Sequence, residues 1–222
     1  MMKTTQILKL LPLGIALVAA MPTYAQVQNT AKMDTATQAQ LSEKYPEGDF
    51  YRVLDSKKTE QPQLTEYFST FCPHCYDFEQ FFDVVQQQIP QRTFVEQRHI
   101  SWMGAQYGKP TSVAVATAQE LGVDKVIIPA LFEQIQKKQH PLLTKEEFKA
   151  FFISHGVSAT DFDSTYGSFV TLSRAHENDK SFTDLGLRGV PSIVINNKYL
   201  VEPKKSIDSA GYIELVNYLL KK

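Results

Sequence analysis

The chain has 222 residues, of which 23 are basic and 24 acidic, giving a formal net charge of −1 at pH 7. This balance, without a long basic run, gives no support for nucleic-acid binding. Hydrophobic residues make up 43% of the chain, which is ordinary for a globular protein, and the length suits one good core with or without a subdomain. Two cysteines are too few for a scaffold held together by disulfides.

The N-terminus has the pattern of a secretory signal peptide, predicted over residues 1–25. Lys3 precedes an apolar stretch at residues 7–21, and small residues follow at the positions that a signal peptidase reads, ending at Ala25. The stretch is too short to span a bilayer stably, and no cysteine lies near it to carry a lipid. We therefore predict cleavage after Ala25 and export in soluble form, rather than an uncleaved anchor, to a compartment that permits disulfides.

The next residues predict a flexible segment followed by a β-α-β unit. Residues 26–44 are rich in Gln, Thr, Ala and Ser with few apolar residues, a composition typical of disordered segments. The first part of a folded domain is expected over residues 45–105. Its strands are predicted at residues 50–54, 64–69 and 93–100, with a helix that Pro90 ends between the second and third. A strand, a helix and a further strand form the minimal parallel crossover unit.

The apolar spacing within residues 106–174 predicts a helical insertion. Helical patterns extend over 110–121, 126–138, 144–155 and 158–182, with a break near Gly167. Thr144 and Glu147 have the spacing of a capping box. The second part of the domain is expected over residues 175–222, with a strand at 191–195, a tight turn at Asn196-Asn197, a returning strand at 198–201 and an amphipathic helix at 209–220.

The only two cysteines, Cys72 and Cys75, lie between the second strand and the following helix. Apolar residues recur at three- and four-residue spacing from Cys75 to Ile89, as on one face of a helix, and Pro73 suits the first helical turn. Cys72 is therefore predicted at the helix N-terminus, where unpaired N–H groups and the helix dipole stabilise an anion. This position favours a thiolate.

Three other uses of a cysteine pair fit the sequence less well. A zinc site needs about four ligands, and these are the only thiols. Covalent haem attachment needs a histidine directly after the second cysteine, where Tyr76 stands. An inert structural disulfide remains open, although it would close too small a loop to stabilise much. Because C-x-x-C between a strand and a helix is typical of a redox dithiol, we expect Cys72 and Cys75 to be catalytic and no metal to be bound.

The dipeptide Pro73-His74 predicts the direction of the reaction. A histidine between the cysteines places a positive charge or an N–H donor beside Cys72, in addition to the helix terminus. A dithiol form stabilised in this way makes the disulfide a strong oxidant, and makes Cys72 a good leaving group. The alternative is a surface histidine without effect on the thiols.

A second motif, Gly189-Val190-Pro191-Ser192, stands at the head of a predicted strand. Proline within a sheet is confined to edges, strand starts and bulges. A cis Val190–Pro191 bond would turn the chain sharply and leave backbone groups available to pair with a peptide. The residues alone do not decide between the cis and trans isomers.

The chain resembles the DsbA family of bacterial thiol:disulfide oxidoreductases, in the thioredoxin superfamily. The likeness covers about residues 45–222 and includes the motif FCPHCY at a strand-to-helix junction, the helical insertion, and LRGVP before a hairpin and a C-terminal helix. It implies an α/β thioredoxin fold with an inserted helical domain. It also implies that Cys72 is the exposed nucleophile and Cys75 the buried resolving thiol, with Val190 and a cis Pro191 as substrate-binding residues beside them.

The resemblance extends to residues around the motif. Glu66 matches the family's buried acid, which implies a proton-transfer role toward Cys75. The sequence departs from the family pattern at Gln97, because the family pattern has a lysine at this position that pairs with the acid. Without that lysine, a raised pKa of Glu66 follows as a hypothesis. His99 matches a family position near the active-site surface, although a histidine with satisfied hydrogen bonds at a strand end would look the same in sequence.

By this resemblance, the protein donates the Cys72–Cys75 disulfide to reduced cysteines of unfolded exported proteins in the periplasm. A DsbB-type membrane oxidase would then restore the disulfide, which serves as the redox group without an organic cofactor. We expect a monomer because no exposed apolar stripe stands out. The alternatives are a disulfide isomerase or reductase with the same fold, a chaperone-like binding module, and an oxidase dedicated to one client.

Overall fold

The computed structural model describes residues 38–222, within which residues 41–222 form one compact unit. The predicted signal peptide, residues 1–25, and the first part of the predicted flexible segment lie outside the described residues. The end of that segment differs from the prediction, because residues 38–44 are helical and form α1. Leu41 packs against the core and Lys44 forms an ion pair with Glu214, so this end of the segment is anchored to the domain. No helix in the described part of the chain is long and apolar enough to cross a membrane.

Within the described residues, the domain is built on one mixed sheet of five short strands. The strands are β1 (Tyr51–Val53), β2 (Gln63–Phe68), β3 (Phe94–His99), β4 (Ser192–Ile195) and β5 (Tyr199–Val201). Their order across the sheet is β1-β5-β4-β2-β3. β2 and β3 are parallel and are connected by α2 (Pro73–Gln88), while the other neighbouring pairs are antiparallel. The predicted β-α-β unit is therefore present.

The chain between β3 and β4 is helical, as predicted. A 3₁₀ turn (Ala105–Tyr107) leads into α3 (Gly108–Glu120), α4 (Asp124–Phe132), a π turn (Glu133–Lys137), α5 (Lys145–Ser154), α6 (Ala159–Thr165) and α7 (Phe169–Asp184). The boundary predicted at residue 174 falls inside α7, which continues without a break to Asp184. The final helix, α8 (Ser209–Lys221), follows β5.

Local sequence signals explain where several elements begin and turn. The capping box at Thr144 and Glu147 is complete, with each side chain bonding the other residue's backbone N–H at the start of α5. The β4–β5 turn has Asn196 and Asn197 with φ of +53° and +54°, the left-handed conformation that asparagine tolerates and that a tight hairpin needs. Gly167, between α6 and α7, has φ of +76°.

Side chains of the sheet alternate between two faces. Ile193 and Ile195 of β4 face the apolar cluster that α2 and α8 cover, whereas Val194 faces a second cluster that includes Phe182 of α7. A third cluster joins the end of β2 to the helical insertion, and both cysteines belong to it. The dithiol thus lies where the sheet domain meets the insertion.

Candidate active site

Cys72 lies at the junction of β2 and α2, as the sequence predicts. Its backbone is extended (φ −94°, ψ 117°) at the N-cap of α2, and Pro73 occupies the first turn. The Cys72 carbonyl accepts the N–H groups of Cys75 and Tyr76, both at 3.1 Å. Within the described part of the chain, the Cys72 side chain makes no capping hydrogen bond. The positive end of the α2 dipole is therefore available to stabilise negative charge at the Cys72 sulfur.

The cis-proline loop lies directly against Cys72. The Val190–Pro191 peptide bond is cis, and the Cys72 thiol donates a hydrogen bond to the Val190 carbonyl oxygen with a distance of 3.4 Å. Two motifs that are 118 positions apart in sequence therefore form one site. Cys72 was expected to be exposed, but it is only 4% exposed. The contact with the cis-proline loop explains this difference.

Cys75 lies one helical turn further on and is fully buried. Both cysteines are free thiols in this structure. Burial raises the pKa of Cys75 far above its ordinary value, and the nearby Cys72 and Glu66 raise it further, while a hydrogen bond with the Ser69 backbone acts in the opposite direction. A thiolate formed at Cys75 is therefore unstable and takes up a proton.

Pro73 and His74 are both exposed on the first turn of α2. Their position puts the dipeptide between the two thiols at the surface of the helix N-terminus. The two residues are close in sequence to Cys72, and a histidine beside a cysteine is one of the neighbours that can favour a thiolate.

Glu66 lies on β2 beneath α2 and is fully buried. In the parallel register, Glu66 stands opposite Gln97 of β3, and the Gln97 amide donates a hydrogen bond of 2.9 Å to Glu66 Oε2. Within the described residues, Glu66 Oε1 is buried without a hydrogen-bond partner. Burial, with the Glu79 carboxylate as the second cause, raises the pKa of Glu66 to about 8.

Glu79 is a second acid that the sequence reading missed. It lies on α2 one turn beyond Cys75 and accepts a hydrogen bond of 3.3 Å from the same Gln97 amide that bonds Glu66. Burial, with the Asp83 carboxylate as the second cause, raises the pKa of Glu79 to about 7. Its place four residues after Cys75, among the apolar residues of the buried helix face, was the sequence signal that could have identified it.

His99 does not lie at the active-site surface, contrary to the expectation from the resemblance. It is fully buried at the end of β3. His99 Nε2 accepts a hydrogen bond of 3.1 Å from the Thr70 backbone N–H, and Nδ1 lies 2.7 Å from the Ser112 hydroxyl. Burial lowers the pKa of His99 to about 3, so the ring is neutral and supports the loop before Cys72 instead of meeting substrate.

Trp102 and Met103 follow β3 on the loop toward the insertion. Trp102 is 55% exposed and packs against Phe182 with ring centroids 6.0 Å apart. Met103 is partly buried between two of the apolar clusters, one of which contains both cysteines. Among the described residues, no group of three or more His, Cys, Asp or Glu side chains is arranged to hold a metal ion.

Comparisons with known proteins point to one family. A family model described as a DSBA-like thioredoxin domain matches residues 109–212. The thiol:disulfide interchange protein DsbA of Pectobacterium carotovorum is 35% identical over 188 residues, which cover 80% of this chain and 89% of that protein. DsbA of Escherichia coli strain K12 is 35% identical over 189 residues, with the same coverage of both chains.

Solved structures show the same relationship. Proteus mirabilis DsbA in complex with a non-covalently bound peptide, PWATCDS, superposes with a TM-score of 0.73 at 32% identity, covering 79% of this chain and 98% of that one. A second structure of Proteus mirabilis DsbA gives a TM-score of 0.71 at 33% identity, covering 79% and 96%. The expected thioredoxin fold with a helical insertion is confirmed, and the chain belongs to the DsbA family of thiol:disulfide oxidoreductases.

Proposed function

We propose that the Cys72–Cys75 pair carries the reaction and that it operates as an oxidase, donating its disulfide to reduced cysteines of unfolded exported proteins. The observation that carries this proposal is the asymmetry of the two sulfurs. Both sulfurs are covered by protein, but Cys72 lies at a helix N-terminus, a position that favours negative charge, whereas burial raises the pKa of Cys75 and disfavours its thiolate. A pair of this kind releases a substrate easily through one sulfur and retains the proton on the other.

The first step is attack by a substrate thiolate on the Cys72 sulfur. A bond forms between the substrate sulfur and Cys72, the Cys72–Cys75 bond breaks, and Cys75 leaves with the electron pair. Cys75 then takes up a proton, because burial makes its thiolate unstable.

Glu66 and Glu79 support this protonation. With pKa values raised to about 8 and about 7, they retain protons in the neutral range, where ordinary carboxyls are ionised. Glu66 is close enough to Cys75 to raise the pKa of the thiol. A proton can therefore pass from Glu66 to Cys75 as the disulfide opens, and return when the dithiol is reoxidised.

The second step completes the transfer. A second substrate thiolate attacks the substrate sulfur of the mixed disulfide, a substrate disulfide forms, and Cys72 leaves as a thiolate. Two electrons pass from the two substrate thiols to the protein, which ends as the dithiol. The helix N-terminus and His74 stabilise the departing Cys72 thiolate.

Val190 and Pro191 are proposed to hold the substrate backbone. The Val190 carbonyl already lies beside Cys72, where an extended peptide whose cysteine is bonded to Cys72 must pass. Pairing of backbone groups would accept many sequences, as a broad client range requires. The relative crystallised with the non-covalently bound peptide PWATCDS supports peptide binding by a protein of this fold.

The cellular setting follows from the family and from the N-terminal pattern. We propose export to the periplasm through the signal peptide at residues 1–25, action as a monomer, and reoxidation by a DsbB-type membrane oxidase. The disulfide itself is proposed as the only redox group, without a metal or an organic cofactor.

The proposal is tested by comparing two substrates. The oxidised protein is mixed with a reduced, unfolded protein and, separately, with a scrambled one whose disulfides are mispaired. An oxidase rapidly oxidises the first and has little effect on the second, whereas rapid repair of the second would identify an isomerase. Full activity of a Cys72→Ala variant would contradict the proposed chemistry, and clients trapped as mixed disulfides on Cys75→Ala would define the substrate range.

A further inference from the structure

The π turn of the helical insertion (Glu133–Lys137) contacts the redox motif from both sides. It continues α4 and closes with a five-residue hydrogen bond of 3.0 Å from the Lys138 N–H to the Glu133 carbonyl. Such wide turns are rare and are often found at functional sites. The reaction described above assigns no role to this turn.

On one side, the turn bonds the loop that precedes Cys72. Gln136 donates a hydrogen bond of 2.7 Å from its side-chain amide to the Thr70 carbonyl. Thr70 is fully buried, and its N–H and hydroxyl both lie 3.1 Å from His99 Nε2. Ser112 of α3 holds the other ring nitrogen, so Thr70 is fixed by one group from the sheet and one from the insertion.

On the other side, the turn bonds the residue that follows Cys75. The Tyr76 hydroxyl donates to Glu133, and the Lys137 ammonium lies 4.9 Å from the centre of the Tyr76 ring. The side chain just before the turn, Phe132, packs against both Phe68 and Tyr76, with ring centroids 5.8 Å apart in each case. The insertion therefore contacts both ends of the segment that carries the two thiols.

We propose that the π turn is a positioning element for the dithiol, with Gln136 as its principal residue acting through Thr70. Thr70 is two residues before Cys72, and the adjacent Ser69 carbonyl accepts the Cys72 N–H at 3.0 Å. A displacement of Thr70 therefore moves the Cys72 sulfur relative to the N–H groups of α2. Since these groups stabilise the thiolate only at short range, Gln136 adjusts how strongly oxidising the disulfide is.

The sign of the effect follows from this geometry. Without the Gln136 donor, the Thr70 carbonyl loses its partner from the insertion and the loop can relax away from α2. The Cys72 thiolate is then less stabilised, the dithiol form is less favoured, and the disulfide becomes a weaker oxidant. The inference rests on the proposed role of Cys72 and Cys75 as the redox pair.

The test compares two glutamines of the same turn. Gln136→Met removes the donor at similar length. Gln134→Met is the matched control, because Gln134 bonds the His140 carbonyl at 2.9 Å instead of the active-site loop. Each oxidised variant is equilibrated with reduced glutathione, so that oxidised protein and two glutathione thiols convert to dithiol protein and glutathione disulfide. The position of this equilibrium is measured by counting alkylated thiols. The thermal unfolding of each variant is measured alongside.

The equilibrium constant for reduction of Gln136→Met is expected to fall about three- to tenfold, the effect of one hydrogen bond, while Gln134→Met changes it less than about twofold. Tyr76→Phe, which removes the bond to Glu133, should lower it in the same direction. An unchanged constant for a folded Gln136→Met protein would overturn the inference. Undiminished substrate oxidation by Cys72→Ser would instead refute the proposed function itself, whatever the result for Gln136.

Discussion

The side-chain amide of Gln97 donates a hydrogen bond of 2.9 Å to the buried carboxyl of Glu66. A neutral amide can supply a hydrogen bond but no positive charge, so it offsets only part of the cost of burying an ionised acid. The pKa of Glu66 is accordingly raised to about 8, with burial as the largest cause. A buried acid that keeps its proton in the neutral range is the distinctive feature of this active site.

Stability should depend on pH through Glu66. Between its ordinary pKa of 4.5 and its folded value of about 8, the folded protein holds a proton that the unfolded chain releases. Glu66 therefore makes the free energy of unfolding fall as pH rises through this range, by up to about 1.4 kcal/mol per pH unit for one proton. Glu66→Gln should flatten this fall, as measured by denaturant unfolding of the disulfide form, in which the thiols do not titrate.

The range from pH 6.5 to pH 8 is the informative one for that measurement. His99 has its pKa lowered from 6.5 to about 3, so it makes the free energy of unfolding rise between pH 3 and pH 6.5 and adds nothing above. Glu79, with a pKa raised to about 7, acts in the same direction as Glu66. The same slope in Glu66→Gln and in the original protein above pH 6.5 would show that Glu66 is ionised in the fold.

His99 gives a separate prediction on the acid side. His99→Asn removes a group whose contribution to the free energy of unfolding rises with pH between pH 3 and pH 6.5, so the slope of stability against pH in this range should become more negative than in the original protein. The variant should also be less stable near neutral pH, because Thr70 and Ser112 lose their shared partner. An unchanged slope below pH 6.5 in unfolding curves of His99→Asn would mean that His99 contributes nothing to the pH dependence.

Replacing Gln97 should move the pKa of Glu66 in a predictable direction. Gln97→Lys places an ammonium where the amide lies, which favours the ionised acid and should bring the pKa of Glu66 well below 8. Gln97→Met is the matched control of similar length, and it should leave the pKa at about 8 or higher because it removes a donor that lowers it. Carbon-detected NMR titration of the Glu66 carboxyl distinguishes the two, and equal values in both variants would contradict the explanation.

The hairpin turn offers a stability prediction away from the active site. Asn196 is buried, its amide donates to the carbonyls of Leu219 and Leu220 at 3.1 and 3.2 Å, and its oxygen accepts the Gln63 N–H at 3.0 Å. Asn196→Ala removes all three hydrogen bonds, although the Leu219 carbonyl keeps the Lys222 N–H as a partner. We expect a loss of roughly 2–3 kcal/mol more than for a matched variant of the neighbouring turn residue.

The matched variant is Asn197→Ala. Asn197 has almost the same positive φ as Asn196, so both substitutions carry a similar backbone penalty. Its side chain is half-buried and, among the described residues, bonds a single group, the Lys57 carbonyl, at 3.0 Å. If chemical denaturation gave equal losses in the free energy of unfolding for the two variants, the hydrogen bonds between the turn and α8 would contribute nothing to stability.

Features with a local cause were predictable from the sequence. The periodic apolar residues of α2, the capping box at Thr144 and the turn at Asn196-Asn197 each have a short-range signal, and each is present in the structure. Cys72 at the N-cap of α2 followed from Pro73 and the preceding strand in the same way. The resemblance supplied the cis geometry of Pro191, which the residues alone left open.

Features that depend on packing were not predictable. The pairing of Gln97 with Glu66 and the raised pKa of that acid were expected from the resemblance, but the second bond from Gln97, to Glu79, also requires the rotation of α2. Likewise, the burial of His99 and the contact of Gln136 with Thr70 depend on how the insertion packs against the sheet. Apart from the place of Glu79 on the buried face of α2, these relationships leave no spacing or composition that a single sequence displays.

The central claim, that substrate oxidation proceeds through a mixed disulfide at Cys72, is tested most directly by acid quenching. The oxidised protein is mixed with a peptide that contains two thiols, stopped at short times, and digested for mass spectrometry of the cysteine fragments. We predict a transient bond between the peptide and Cys72, followed by one peptide disulfide and two protein thiols per turnover. A mixed disulfide at Cys75 alone, or undiminished peptide oxidation by Cys72→Ser, would contradict the claim.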